Sequence, residues 1–299
     1  MPPRFIEELK ESIQTSIPTD TTIIGKVTRT IYAPESSAND LAQIIERDPP
    51  LTAKILKAAN SAYYGSTTTI NSLRRSVVVL GFDTIKELVS AVTVSRFFFD
   101  TNPKSSGIDR KGLWVHSVAV GKAAQIISNR VGVGRPDVAY TVGLLHDIGK
   151  IVLTILYPDF YKRVVAMAAA KRCRIVLAEQ RLLNTDHTMV GKVLCELWNL
   201  PEDITNAIFS HHDPSENASG DSQLIRLIHL SDILARTLSI GDPGDSVVPE
   251  PSRAALSLLG TSQERIALNY QACLAELERA KPEIDGFFSN LNKTEVEQD

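Results

Sequence analysis

Leu113, His116, Val120, Ala123 and Ile127 recur at 3-4-3-4 spacing, a repeat that only an α-helix turns into one continuous face. The same spacing returns at Ile204, Ile208 and His211, and at Ile225, Ile228, Asp232 and Ala235. Shorter helical patterns come earlier, at Phe5, Leu9 and Ile13, at Ile23, Ile24, Val27 and Ile31, and at Leu41, Ile44 and Ile45. No convincing series of alternating apolar and polar residues competes with them, so an all-α fold is expected. In the three long stripes a histidine or an aspartate takes an inward position that an apolar residue would ordinarily hold.

End signals divide the pattern. Asp20 is placed to cap the second helix, Asn39 or Asp40 to open the third, and Pro49-Pro50 to occupy the first turn of the fourth. Leu73 to Leu80 forms a helix stopped by Gly81, and Asp83 caps a long one reaching Phe97. Pro136, Pro158, Asp186 and Pro201 open later helices. Asp100 to Asp109 reads as a linker, taken as a domain boundary in preference to a loop inside one helical body. Gly241 to Pro251 is a second linker, after which helical spacing resumes to Phe288. The expected layout is an N-terminal helical bundle over 1–108, packed on a helical domain over 109–240, with a helical extension over 241–299. Asn292 to Asp299 reads as a frayed end.

Hydrophobic residues make up 43% of the 299, enough for a sizeable core. The net charge of -3 argues against a general nucleic-acid binder. Three isolated cysteines, Cys173, Cys195 and Cys273, lack C-x-x-C spacing, which disfavours a disulfide framework or thiolate zinc site and fits a reducing cytosol. With no apolar leader and no run of about 18 apolar residues, a cytoplasmic protein is expected.

The stretch Val142-Gly143-Leu144-Leu145-His146-Asp147-Ile148-Gly149-Lys150 carries the chemistry. An apolar run ends in adjacent imidazole and carboxylate groups, with Gly149 placed to end the helix that delivers them. A buried charge needs compensation, and a metal ion is one agent that accepts both donor types. His116, His187, His211, His212 and Asp232 also fall on inward helix faces or ends. Singly, each reads as a hydrogen-bonded core residue or a cap. Together the seven exceed the four ligands of one tetrahedral ion, and facing helices of a bundle are where such sites form. Two neighbouring ions, with Asp147 bridging, suit hydrolysis of phosphate esters. Lys150 reads two ways, as a point charge for a phosphate oxygen or as a solvated lysine. His229 is set aside as an ordinary histidine, a turn from Asp232 and at most a partner that orients it.

The series His116, His146-Asp147-Ile148-Gly149-Lys150, His187, His211-His212 and Asp232 resembles the HD superfamily of metal-dependent phosphohydrolases. In order and type it is similar to the ligand series of the two-metal branch. Upstream, Asp48-Pro49-Pro50-Leu51 through Ala58-Ala59-Asn60 to Tyr63-Tyr64-Gly65, then Ile70-Asn71-Ser72-Leu73 and Val79-Leu80-Gly81-Phe82, resembles the HDOD (HD-related output domain) family, as does Leu197-Trp198-Asn199-Leu200-Pro201. The resemblance covers roughly 20 to 235. It implies an all-α signalling output module of bacteria with a protein partner. By analogy, His116, His146, Asp147 and Asp232 hold one divalent ion (iron, manganese or zinc), and His187, His211 and His212 hold a second, bridged by Asp147. Asp147 and Lys150 would then be the catalytic pair. The glutamate and Gly-Tyr-Pro element that follow the paired histidines in the phosphodiesterase branch are absent from Asp213 to Gly220, which counts against cyclic-di-GMP hydrolysis.

Two functions follow as expectations. The first is a regulatory module whose metal site is structural or sensory. The second is a phosphohydrolase acting on a nucleotide or cyclic nucleotide. An oxygen-responsive switch is a third, should the ions be iron. From Lys54 to Lys111, nine basic residues face four acidic ones, a surplus that offers an acidic partner or nucleotide a surface or is simply scattered and solvated. No membrane and no specific nucleic acid are expected as partners.

Overall fold

The structure, a computed structural model, describes residues 3–17, 22–60, 70–99, 106–214 and 222–292. Its regular structure is entirely helical among those residues. In the N-terminal part lie α1 (Pro3–Ser16), α2 (Thr22–Tyr32), α3 (Ala38–Ile45), α4 (Pro49–Ala59), α5 (Leu73–Leu80) and α6 (Phe82–Phe99). The cap of α3 is Ser37 and not Asn39 or Asp40. Its hydroxyl accepts from Asp40 N while the Asp40 carboxylate accepts from Ser37 N, a reciprocal box that draws Asp40 into the first turn. Asp48 caps α4 ahead of Pro49, accepting from Leu51 N at 2.9 Å, and also binds Arg96 of α6. Helix α6 starts at Phe82, so Asp83 lies in its first turn instead of capping it. Asp20, the 61–69 part of the family signature, residues 100–105 of the first linker and the chain end past Asn292 lie outside the described residues.

The remaining helices are α7 (Arg110–Val131), α8 (Pro136–Leu145), α9 (Ile148–Leu156), α10 (Pro158–Lys171), α11 (Ile175–Leu183), α12 (His187–Leu197), α13 (Glu202–Ser210), α14 (Ser222–Thr237), the short α15 (Arg253–Leu256) and α16 (Gln263–Asn292). A single 3₁₀ turn, Ser257–Leu259, precedes α16. One continuous apolar core runs from Leu9 to Ile284. At its centre is α7, whose Leu113, Trp114, Ala119, Val120, Ala123 and Ile127 are fully buried. Phe98 meets Trp114 edge-on, with ring centroids 5.2 Å apart, which fastens α6 to α7. The Arg135 guanidinium donates to Ile31 O and Tyr32 O, joining the end of α2 to the start of α8. The C-terminal α16 packs on α7 and buries Cys273 and Leu277.

Close helix contacts fix where the functional residues arrive. At the crossing of α7 and α8, a methyl at Gly143 would lie 2.5 Å from Gly121 Cα, so only paired glycines permit this approach. That approach brings the end of α8 beside the His116 turn of α7. Pro136–Leu156 has the length and mean hydropathy of a membrane span, although His146, Asp147 and Lys150 interrupt its apolar run. The stretch is almost wholly buried within the protein and bends into α8 and α9 at the His-Asp pair.

Candidate metal centre

The corner between α8 and α9 is the His-Asp pair itself. His146 closes α8 in helical geometry, and Asp147, at φ -100° and ψ 10°, opens α9. Gly149 therefore does not end a helix. It lies in the first turn of α9, where a Cβ would stand 1.9 Å from His187 O, and its lack of a side chain lets α9 rest on the first turn of α12. Asp186 caps α12 by accepting from Thr188 N and Met189 N, which puts His187 at the first helical position, facing Asp147. His211 closes α13, while His116 and Asp232 come from the interior stripes of α7 and α14.

These side chains form two adjoining groups. Ligand atoms of Asp147, His187, His211 and His212 lie within 4.8 Å of one another, as do those of His116, His146 and Asp232. Asp147 faces both. Its Oδ1 is 3.3 Å from His187 Nε2 and 3.9 Å from His211 Nε2, whereas Oδ2 is 3.2 Å from His146 Nε2 and 4.0 Å from His116 Nε2. His116 Nε2 is 3.0 Å from Asp232 Oδ1. His187 and His212 turn their Nε2 atoms toward each other at 3.0 Å. All of these residues are buried except His212, which is partly exposed.

Hydrogen bonds at the far nitrogens set the imidazoles up as donors. His146 Nδ1 lies 2.7 Å from Gly143 O, and His211 Nδ1 lies 2.7 Å from Ile208 O. Both carbonyls belong to the last turn of a helix, where acceptors are left over. With each Nδ1–H donating outward, a lone pair on Nε2 points into the centre. His187 Nδ1 is anchored 2.5 Å from Glu179 Oε2, which also accepts from His187 N at 3.0 Å. Tyr161 OH donates to the other oxygen of Glu179 at 2.7 Å.

The protonation states fit the same use. Burial lowers His116, drives His212 well below the ordinary imidazole range, and takes His211 down to about 3, with His146 adding to the effect at His211. Burial pushes both carboxyls the other way. For Asp147 it is outweighed by His146 and Lys150, and for Asp232 by Arg236 and His116, so both stay well below the usual carboxylate range. His116, His211 and His212 are thus neutral imidazoles beside ionised carboxylates. Both nitrogens of His116, Nε2 of His146 and His211, and Oδ1 of Asp147 are buried without a hydrogen bond of acceptable geometry. Orphaned polar atoms of this kind are costly, and five imidazoles with two carboxylates are a donor set that could hold a metal ion.

The family model of the HDOD domain matches residues 17–214. The chain belongs to the HDOD family. An uncharacterized protein of Treponema pallidum (strain Nichols) is 24% identical over 242 residues, which are 80% of this HDOD chain and 45% of that protein, so the chain spans less than half of its relative's length. Among solved structures, an HDOD domain protein of unknown function from Geobacter sulfurreducens superposes with a TM-score of 0.76 at 24% identity, covering 95% of this chain and 97% of that one. A presumed signal transduction protein from Marinobacter aquaeolei VT8 gives 0.73 at 23%, covering 90% and 58%. A presumed phosphohydrolase from Shewanella amazonensis SB2B gives 0.66 at 22%, covering 90% and 93%. These likenesses establish the helical HDOD fold.

The structure brings all seven expected residues of this HDOD chain together and places Lys150 among them. Lys150 is not a solvated lysine. It is fully buried, and its Nζ donates to Asp147 Oδ2 at 2.5 Å and to Pro243 O at 3.0 Å. Both ring nitrogens of His229 bond elsewhere than to Asp232. Its Nδ1 lies 2.8 Å from His211 O, and its Nε2 accepts from Ser252 N, so it steadies the end of α13. The residue that holds Asp232 is Arg236, whose Nε donates to Oδ1 at 2.8 Å. The Gly241–Pro251 linker lies against the centre: Asp242 N donates to Gly112 O, and Asp245 accepts from Arg236 and from Ile175 N.

Glu179, Arg236 and Asp245 support the centre without standing among the residues expected from the sequence. Arg236 stands four residues beyond Asp232, the spacing at which helical charges meet, and Glu179 stands four beyond Ile175 on the buried face of α11. Asp245 lies in a segment with no periodicity to read. The basic run of α4–α7 is dispersed: Lys86 pairs with Asp137 and Asp83, Arg96 with Asp48, and Arg110 with Phe98 O and Thr154.

Proposed function

We propose that this HDOD protein is a bacterial, cytoplasmic signalling module that binds one or two divalent transition-metal ions at the His-Asp centre and passes its state to a protein partner. The observation that carries the reading is the convergence of six donor residues, several with unpartnered ligand atoms, around Asp147. His116, His146, Asp232 and Asp147 Oδ2 would hold one ion; His187, His211, His212 and Asp147 Oδ1 would hold the other. Burial supports a structural or sensory metal over a catalytic one. Every donor but His212 is 2% exposed or less, and Lys150 is already committed to Asp147 and Pro243.

A phosphohydrolase acting on a nucleotide or cyclic nucleotide is the second reading. One carboxylate facing two donor sets favours it, because a pair of bound ions activates water and steadies the developing charge on a phosphate ester. The experiment that separates the two is metal analysis of the purified protein, followed by a screen of phosphate and cyclic-nucleotide esters against Asp147→Ala. The proposal expects bound metal and no turnover. Metal-dependent turnover lost in the variant establishes the enzyme, and absence of metal after supplementation removes both readings.

A further inference from the structure

The two halves of the centre differ in what surrounds them. Around His187, His211 and His212, Asp147 Oδ1 makes no hydrogen bond. Behind His187 stands a second carboxylate, Glu179, fully buried and held by Tyr161 OH and His187 N. A carboxylate behind a ligating imidazole fixes its tautomer and orientation and makes it a stronger donor. His146 and His211 have only main-chain carbonyls in that position.

Around His116 and His146 the carboxylate oxygens are already engaged by cations. Asp147 Oδ2 accepts from Lys150, and Asp232 Oδ1 accepts from Arg236. Neither cation can retreat to water. Lys150 is fully buried and tied to Pro243 O, while Arg236 is 7% exposed and tied to Asp245 Oδ1 and Val247 O at 3.1 Å each. An ion entering this half meets two fixed positive charges and must share oxygens with both. An ion entering the other half meets Asp147 Oδ1, which no cation binds, and a His187 ring backed by the Glu179 carboxylate.

Building on the metal reading, we infer that the centre loads asymmetrically: the first ion enters the His187–His211–His212–Asp147 half, where Glu179 is the positioning residue that sets its affinity. Lys150 and Arg236 are internal competitors that hold the His116–His146–Asp232 half at lower affinity. The protein therefore has distinct one-ion and two-ion states, and the second forms only where Lys150 gives up Asp147 Oδ2. That change is transmitted to Pro243 and the 241–247 segment, a route from ion occupancy to the surface.

The test is titration of the full chain, stripped with chelator, with cobalt(II), read by visible absorption and by competition with a chromophoric chelator. Two resolved steps are expected. Glu179→Gln, nearly isosteric, weakens the tight step by about 10–100-fold and leaves the weak step in place. Lys150→Met tightens the weak step by roughly tenfold or more, and by more than it changes the tight step, which shares Asp147. A general loss of structure would move both steps together, and the Glu179→Gln arm stands whether or not Lys150→Met folds. Two equal steps, or a tight step that ignores Glu179→Gln, overturn the asymmetry while the metal reading stands. No cobalt binding by the unmodified protein overturns the metal reading itself, and the asymmetry with it.

Discussion

The Asp147–Lys150 pair makes a prediction independent of any ion. Both side chains are shut away from water, at 1% and 0% exposure, and Nζ has Asp147 Oδ2 and Pro243 O as acceptors. Asp147→Ala leaves a buried ammonium with one carbonyl, and breaking a buried pair by removing one partner costs about 3–5 kcal/mol. Lys150→Met keeps most of the side-chain volume and removes the cation. In Asp147→Ala/Lys150→Met both buried charges are gone, and replacing a buried pair by apolar groups is often neutral. The double variant should therefore be more stable than Asp147→Ala alone, with the two effects non-additive by about 2–3 kcal/mol. The assay is urea unfolding in excess chelator, comparing midpoints at constant m-value so that a change in the unfolded state is recognised. An Asp147→Ala cost below about 1 kcal/mol, the size of a surface pair, or strict additivity, would refute the buried pairing.

Other consequences follow. Burial takes His211 down to about 3, so between the unfolded value near 6.5 and that point the unfolded chain binds a proton the folded chain refuses. Stability in chelator should fall as pH drops through this window, by up to ~1.4 kcal/mol per pH unit for this group. Asp147 and Asp232, held well below 3.8, add loss of the same sign at still lower pH; urea midpoints at pH 7.5, 6 and 5 check the direction. Gly149→Ala drives a methyl onto His187 O and should cost on the order of 1–3 kcal/mol, measured by thermal unfolding, with metal affinity falling in parallel. Adding metal to stripped protein at 100 times its Kd should raise stability by about 2.7 kcal/mol, read by the same unfolding curves.

The fold was legible where helical spacing was long. The stripe of α7 and the inward turn of Asp232 follow from apolar residues three and four apart, and Pro49, Pro136 and Pro158 mark true helix starts. Helix ends were less legible, because caps are chosen by competition among neighbours. Ser37 won over Asn39 since its box with Asp40 satisfies donors both ways. Gly149 looked like a helix terminator, yet its role is close approach to α12, which depends on a residue far along the chain. For the centre, His116, His146, His211 and Asp232 were readable as polar residues on apolar stripes. Their supporting contacts were not, because Tyr161–Glu179–His187 and Arg236–Asp245 join segments that share no period. Lys150 shows the limit most clearly: its neighbours in sequence leave it solvated or phosphate-facing, while Pro243, 93 residues away, completes its burial.

The central claim is that Asp147 stands between two metal-binding donor sets, and anomalous scattering from crystals of the metal-loaded protein tests it most directly. Data collected above the absorption edge of the bound metal should give a peak within bonding reach of Asp147 Oδ1 and the Nε2 atoms of His187 and His211. At higher metal concentration a second peak should appear beside Asp147 Oδ2, His116 and His146. Metal-loaded crystals with no peak at Asp147, or with peaks only at surface residues, would contradict the account.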